Sequence, residues 1–89
     1  MRRRAQRSKF RRDYKRQKLR GKVIGKLDRV VVLLVRDGML DRTYQPHKLS
    51  GEYEGLWECH IEPDWLLIFN VTDDAVILFR TGTHADLFE

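Results

Sequence analysis

The chain has 89 residues, 42% of them apolar, which suffices for a single domain (1–89) with a modest core. No apolar run approaches the length that spans a membrane, and the basic N-terminus lacks the apolar stretch of a secretory signal, so we expect no membrane segment and no export. The single cysteine, Cys59, excludes an internal disulfide and fits a cytoplasmic location.

The net charge of +5 is distributed unevenly along the chain. Residues 1–22 hold 12 Lys or Arg and one acid, Asp13, so they carry +11. Residues 23–89 hold 6 Lys or Arg and 12 Asp or Glu, so they carry −6. The basic end indicates a polyanionic partner, with a solvated tail as the alternative for residues 1–7.

The first predicted elements are a short strand at residues 2–6 and a helix at 8–20. Within the helix, Phe10 and Tyr14 lie four positions apart among basic residues, which is a thin apolar stripe at helical spacing. Gly21 is a plausible end for this helix.

A second helix is predicted at residues 22–36, because apolar residues recur there at helical spacing. The run "VVVLLV" at 30–35 is also compatible with a buried strand, but the upstream period and the total length favour a helix. The turn at Asp37-Gly38 ends the helix, and the two helices form a hairpin.

The C-terminal half is predicted to be a polar loop followed by an antiparallel meander. The loop covers residues 41–53, and the strands are separated by turns at Pro63-Asp64 and Asp73-Asp74. The predicted strands are 54–61, 65–71 and 75–80. A helical hairpin followed by a meander gives an α+β fold.

One cysteine and three histidines raise the question of a tetrahedral metal site. Adjacent strand residues point to opposite faces, so Cys59 and His60 cannot easily share an ion. Cys59 falls on the apolar face of its strand, whereas His60 falls with Glu58 and Glu62 on the polar face. A site made of the three histidines and Asp64 stays open as an alternative.

Three C-terminal motifs resemble the YafQ branch of the RelE superfamily of mRNA interferase toxins. They are "HKLSGEYEG", "ECHIEPDWLLIF" and "FRTGTHADLF", in the order and spacing of that family. The resemblance implies a small antiparallel sheet packed on two helices, and a toxin that cuts mRNA in the A site of the 70S ribosome. It also implies a neutralising antitoxin, often of the ribbon-helix-helix type.

The family's functional positions are all present in this chain. By resemblance they are His47, His60, Asp64, Trp65, Arg80, His84 and Phe88. Two positions depart from the family pattern: Trp57 stands where a polar residue is expected, and Phe69 stands where tyrosine is common. Whether residue 57 contacts RNA or packs in the core is open.

The implied chemistry uses the 2′-hydroxyl of RNA as nucleophile and needs no metal or cofactor. Histidine suits both proton transfers, because it titrates near neutral pH. We assign His84 as general acid, Asp64 or His60 as general base, and His47 and Arg80 as groups that stabilise the phosphate, with the reverse assignment of acid and base as the alternative.

Aromatic residues and the basic helix complete the predicted site. Trp65 and Phe88 are expected to stack on bases, with the core as the alternative for each, and Arg80 has a structural salt bridge as its alternative. The residues predicted to bind the ribosome are Arg11, Arg12, Lys15 and Arg16. The rival functions are a ParE-like toxin that acts on DNA gyrase, and a basic RNA-binding module.

Overall fold

The computed structural model describes all residues, 1–89, and contains three helices and one five-stranded sheet. In chain order the elements are β1 (Arg3–Gln6), α1 (Ser8–Leu19), α2 (Ile24–Asp37), β2 (His47–Lys48), β3 (Trp57–Glu62), β4 (Trp65–Val71), β5 (Ala75–Gly82) and α3 (His84–Phe88). None of the helices has the length and apolar character needed to cross a membrane.

The sheet has the strand order β1-β5-β4-β3-β2. β1 runs parallel to β5, and the other neighbours are antiparallel. The predicted meander and the predicted N-terminal strand are therefore confirmed, as is the α+β class. The helical hairpin follows β1 and leads to β2, which lies at the opposite edge of the sheet.

The run at residues 30–35 is helical, as the longer period predicted. Val30, Val31 and Leu34 are buried against the sheet, whereas Val32 is exposed. Side chains alternate between the two faces of a strand, so a strand would not bury the adjacent Val30 and Val31 and leave Val32 in solvent. The three-and-four spacing of the buried residues is that of one helix face.

α1 is held to the molecule by a narrow stripe. Its buried residues are Phe10, Asp13 and Gln17, of which only the first is apolar. The half-buried Tyr14 donates a hydrogen bond to Asp28 of α2 at 3.1 Å, which joins the two helices. Gly21 adopts φ +84°, the left-handed conformation that lets the chain turn between them.

Both faces of the sheet are covered. The larger core lies between the sheet and the two long helices. The smaller core lies on the opposite face, where Leu66, Ile68 and Leu87 pack together. Residues of the predicted loop and of α3 cover this second face. As a result, the loop and α3 are brought to the same side of the sheet.

The predicted loop at 41–53 is more ordered than expected. It contains two short 3-10 turns, Arg42–Tyr44 and Gly51–Tyr53, with β2 between them. The strand predicted at 54–61 also shifts, because β3 begins at Trp57 rather than at residue 54. A two-residue strand cannot show the alternation by which strands are recognised, so β2 leaves no signal in the sequence.

The last strand is longer than the predicted 75–80. β5 continues through Gly82, and α3 starts two residues later. A Cβ at this glycine would lie 2.8 Å from the Asp86 carboxylate, so the glycine leaves room for the Asp86 side chain. α3 is only five residues long and was not predicted.

Candidate active site

The three histidines come from three different elements and meet on one side of the sheet. His47 lies in β2, His60 in β3, and His84 is the first residue of α3. The ring centroids of His47 and His60 are 6.4 Å apart, and those of His60 and His84 are 6.0 Å apart. The structure thus gathers residues that are separated by up to 37 positions in the sequence.

His84 is oriented by Asp64, which lies in the turn between β3 and β4. The Asp64 Oδ1 accepts a hydrogen bond from the His84 backbone N–H at 2.9 Å and from Nδ1 at 2.6 Å. These two bonds hold the pKa of Asp64 below its usual value. Since Nδ1 carries the donated proton, Nε2 is left as the atom that can exchange a proton with a substrate.

The start of α3 is fixed by a capping box. Thr83 Oγ1 accepts from the backbone N–H of Asp86, and the Asp86 carboxylate accepts from the backbone N–H of Thr83. Arg20 at the end of α1 donates to the same carboxylate at 2.6 and 3.1 Å. The hydrogen bond from Arg20 is the main reason that the pKa of Asp86 is lowered. Asp86 therefore joins the helix of His84 to α1.

Glu58 is a member of the cluster that the sequence did not single out. Its carboxylate is buried, and Oε1 lies 3.2 Å from His47 Nε2 and 3.8 Å from His60 Nε2. The other oxygen, Oε2, has no hydrogen-bond partner. Burying a carboxylate costs free energy unless partners offset it, and the two histidines are the groups nearest to Oε1. The alternation of side chains along the strand predicted that Glu58 lies on the same face as His60, but it did not predict that Glu58 belongs to the site.

The other ring nitrogens of these histidines also face oxygens. His47 Nδ1 donates to the carbonyl of Gln45 at 3.0 Å, and His60 Nδ1 donates to the carbonyl of Pro63 at 3.3 Å. With Nδ1 used as a donor, a hydrogen bond from His47 Nε2 to Glu58 requires a second proton on the ring or one on the carboxyl. The geometry therefore lets these groups share a proton.

The two predicted stacking residues have different surroundings. Phe88 is 45% exposed and lies beside His84, with ring centroids 6.4 Å apart. Trp65 is 0% exposed, and its Nε1 donates to Thr81 Oγ1 at 3.0 Å. The prediction that Trp65 stacks on a base is wrong, because its ring has no free surface. Only Phe88 is available for stacking.

Arg80 forms the salt bridge that was its alternative role. Its Nε and Nη2 donate to the two carboxylate oxygens of Asp13 at 2.6 and 3.2 Å, and Nη1 donates to the Tyr53 hydroxyl at 3.1 Å. The hydrogen bond that Arg80 donates to Asp13 raises the pKa of Arg80. The ring of Tyr53 packs edge-on against Phe88 at 5.7 Å, so Arg80 is connected to His84 through two intervening side chains.

Cys59 and Glu62, the other possible metal ligands near His60, lie away from the histidines. Cys59 is buried in the main core, and burial together with Glu58 raises the pKa of its thiol to about 12. Glu62, which was predicted to share a face with His60, does not lie beside the histidines. A register shift between His60 and Glu62 interrupts the alternation, and Glu62 pairs with Lys22 and Lys26 near the start of α2. No group of three or more His, Cys, Asp or Glu is arranged to hold a metal ion.

The two departures from the family pattern also have structural explanations. Trp57 packs against the main core on the helix side of the sheet, and Lys48 Nζ lies 5.9 Å from its ring centroid. Together with Phe69, it lines a groove away from the histidines. Residue 57 therefore packs and does not belong to the cluster.

A family model of the YafQ bacterial toxin of type II toxin-antitoxin systems matches residues 2–89. The chain belongs to the YafQ family. The family predicted from the three motifs is confirmed.

Curated and solved YafQ-like proteins support this membership. The chain is 39% identical over 80 residues to the mRNA interferase toxin YafQ of Escherichia coli K12, covering 89% of this chain and 87% of the relative. It matches the toxin in an E. coli DinJ-YafQ complex with a TM-score of 0.90 and 36% identity over the full length of both chains. A copper-bound mutant toxin from Helicobacter pylori matches with a TM-score of 0.90 and 35% identity, covering 99% and 100% of the two chains.

Proposed function

We propose that this YafQ-family toxin is an mRNA interferase, an endoribonuclease that cleaves mRNA in the ribosomal A site and so inhibits translation. The observation that carries the proposal is the His84–Asp64 pair, which exposes one ring nitrogen beside two further histidines. This arrangement supplies the two proton-transfer groups that RNA cleavage by its own 2′-hydroxyl requires.

The proposed reaction uses these groups in the following way. A base removes the proton of the 2′-hydroxyl, its oxygen attacks the adjacent phosphorus, and the bond from phosphorus to the 5′-oxygen breaks. His84 Nε2 donates a proton to the departing 5′-oxygen. The products are a 2′,3′-cyclic phosphate and a 5′-hydroxyl. We assign the base to His60, because Asp64 already accepts two hydrogen bonds from His84 through the same oxygen.

The remaining residues act on the phosphate and the bases. His47 and Arg80 stabilise the charge that develops on the phosphate oxygens, and Phe88 stacks on a base beside the scissile bond. Glu58 keeps His47 and His60 in position, and its negative charge offsets the positive charge of a ring that becomes protonated. No step in this scheme uses a metal ion.

The proposed partners are an antitoxin and the 70S ribosome. A relative of this chain is found in the DinJ-YafQ toxin-antitoxin complex, and we extend that mode of control to this protein, with a ribbon-helix-helix antitoxin. The basic helix α1 binds ribosomal RNA through residues that include the four predicted from the sequence, Arg11, Arg12, Lys15 and Arg16.

Mapping transcript 5′ ends after induced expression tests the function. We expect new ends inside codons and in frame, and none with His84→Ala at equal expression. Gyrase-dependent DNA breaks without transcript cleavage would instead indicate a ParE-like toxin. Ribosome binding without either kind of damage would indicate an RNA-binding module.

A second experiment tests metal independence. We expect purified toxin to cleave mRNA on programmed ribosomes in the presence of a transition-metal chelator, at a Mg²⁺ concentration that keeps the ribosomes intact. The fragments should end in a cyclic phosphate or its 3′-phosphate product. Loss of cleavage with chelator and recovery with added zinc or copper would overturn the metal-free assignment.

A further inference from the structure

Asp13 is the only acid among the first 22 residues, and the proposed chemistry does not use it. It lies on α1, is buried, and accepts three hydrogen bonds from β5. Two come from the Arg80 guanidinium and the third comes from the backbone N–H of Thr81 at 3.1 Å. A buried carboxylate in the middle of a basic helix therefore has one cation, Arg80, as its charge partner.

The contacts of Arg80 leave part of its guanidinium available. A guanidinium has five N–H groups. Three of those on Arg80 are engaged, two by Asp13 and one by Tyr53, so one N–H remains on each Nη. Two such N–H groups form the fork that binds two oxygens of one phosphate.

Arg80 lies at one side of a charged cleft between α1 and β5. The cleft has a volume of about 250 Å³, and no apolar residue lines it. Its lining residues are Lys9, Arg12, Asp13, Arg16 and Arg80. Because the Asp13 carboxylate is already engaged by Arg80, the cleft presents an excess of positive charge to solvent.

The helix period divides the basic residues of α1 into two faces. Lys9, Arg12 and Arg16 recur at three and four positions, so they share the face that lines the cleft. Arg11 lies on the next face and lines a separate depression with Tyr14. Arg16 is 3.5 Å from Asp86 but half exposed, so solvent screens that pair.

We propose that this cleft binds a phosphate group of an RNA backbone, and that Asp13 is a positioning residue that sets the guanidinium of Arg80 toward it. The inference rests on the proposed ribonuclease function, in which Arg80 acts on a phosphate, and adds Asp13 and the cations of α1 to that contact. Side-chain contacts link Arg80 to Tyr53, Tyr53 to Phe88, and Phe88 to His84. An RNA strand that follows these contacts runs from the cleft to His84.

The lining favours RNA over an acidic protein segment. Protein partners bury apolar side chains at the centre of their interfaces, and this cleft offers none to receive them. Phosphate oxygens suit a guanidinium fork flanked by further cations. The phosphate can belong to mRNA or to ribosomal RNA, and the experiment separates these sources.

A matched pair of double variants tests the site. Arg12→Ala/Arg16→Ala removes two cleft cations, and Lys18→Ala/Arg29→Ala removes two exposed cations that lie outside the cleft and outside the proposed ribosome-binding set. For the cleft variant we expect the Kd for mRNA-programmed 70S ribosomes to rise about tenfold or more, because two cationic contacts to phosphate are lost. The control should change the Kd by less than about threefold and should cleave near the parent rate.

The salt dependence gives an independent readout. For the cleft variant, the slope of log K against log salt should flatten by about 0.7 for each lost single-strand phosphate contact. An equal loss of affinity for ribosomes without mRNA assigns the phosphate to ribosomal RNA. A loss of affinity confined to mRNA-programmed ribosomes assigns the phosphate to mRNA. The proposal fails if the two double variants bind alike, or if the cleft variant loses affinity only for the antitoxin.

The positioning role has its own variants. Asp13→Asn and Arg80→Lys should each raise the ribosome Kd about tenfold in samples that are folded by circular dichroism. Asp13→Glu, which keeps a carboxylate, should recover much of the affinity. A lower melting temperature with unchanged Kd would mean that Asp13 is only structural. Continued cleavage by His84→Ala would reject the ribonuclease site without affecting the outcome for the cleft.

Discussion

The Asp64–His84 and Asp13–Arg80 pairs have the same shortest distance, 2.6 Å, and opposite environments. The side chains of His84 and Asp64 are 53% and 64% exposed, whereas those of Arg80 and Asp13 are 18% and 5% exposed. Water screens the first pair, so it orients a reactive ring without adding much stability. The second pair lies mostly out of water, so removing one partner leaves the other as an uncompensated buried charge.

The largest effect is expected when the reactive ring of the exposed pair is removed. His84→Ala should lower the cleavage rate by about 10²–10⁴-fold, the usual loss for a general acid, with little change in melting temperature. Single-turnover cleavage on programmed ribosomes measures the rate. Parent-like cleavage by this variant would show that the proton donor lies elsewhere.

Breaking the buried pair should mainly cost stability. Asp13→Ala should lower the free energy of unfolding by about 3–5 kcal/mol, because it leaves the Arg80 guanidinium without its carboxylate. Urea denaturation at neutral pH measures this difference. The double variant Asp13→Ala/Arg80→Met should lose less than the single variant. A loss as large as the sum of both single variants would show that the two residues do not interact.

Asp86 should give a smaller and pH-dependent effect. A lowered carboxyl pKa stabilises the fold above the unfolded-state pKa of about 4, and that contribution is lost as the pH falls through the folded-state pKa. Asp86→Asn should therefore cost about 1 kcal/mol at neutral pH and progressively less below pH about 4. Asp73→Asn, in the β4–β5 turn without an ion pair, is the control. A cost that does not vary with pH would exclude the charge as its source.

The smallest effect on stability is expected for the carboxylate of the exposed pair. Asp64→Asn should leave the melting temperature unchanged, because both side chains are in solvent. Its amide oxygen can still accept from His84, so cleavage should fall less than in Asp64→Ala. Equal rates for the two variants would mean that the charge of Asp64, and not its hydrogen bonds, supports His84.

The fold could be predicted because its signals are local. The buried residues of α2 show the helical period, and the turns between the last three strands use Pro and Asp residues that mark turns. β2 and α3 were missed, since two and five residues are too few to show a period. The short elements are held by tertiary contacts, such as the Asp86 capping box and its bond from Arg20.

The site was only partly predictable from the sequence. The three motifs identified the histidines and Asp64, and the structure brings them together, but their catalytic roles stay predictions. A tryptophan after a turn gives no sign of whether its ring is buried, so Trp65 was misassigned. Glu58 was overlooked because a charged residue on the polar face of a strand is usually solvated. Its burial depends on β2, which the sequence did not reveal.

The burial of Cys59 makes the toxin convenient for site-directed chemistry. Thiol reagents attack the thiolate, and this side chain is inaccessible, with a pKa raised to about 12 by burial. A cysteine introduced at the exposed Lys15 or Lys18 would then be the single reactive thiol without removal of the natural one. Photocrosslinkers or fluorophores attached there can report which segment of ribosomal RNA lies beside α1, while the core of the toxin stays unmodified.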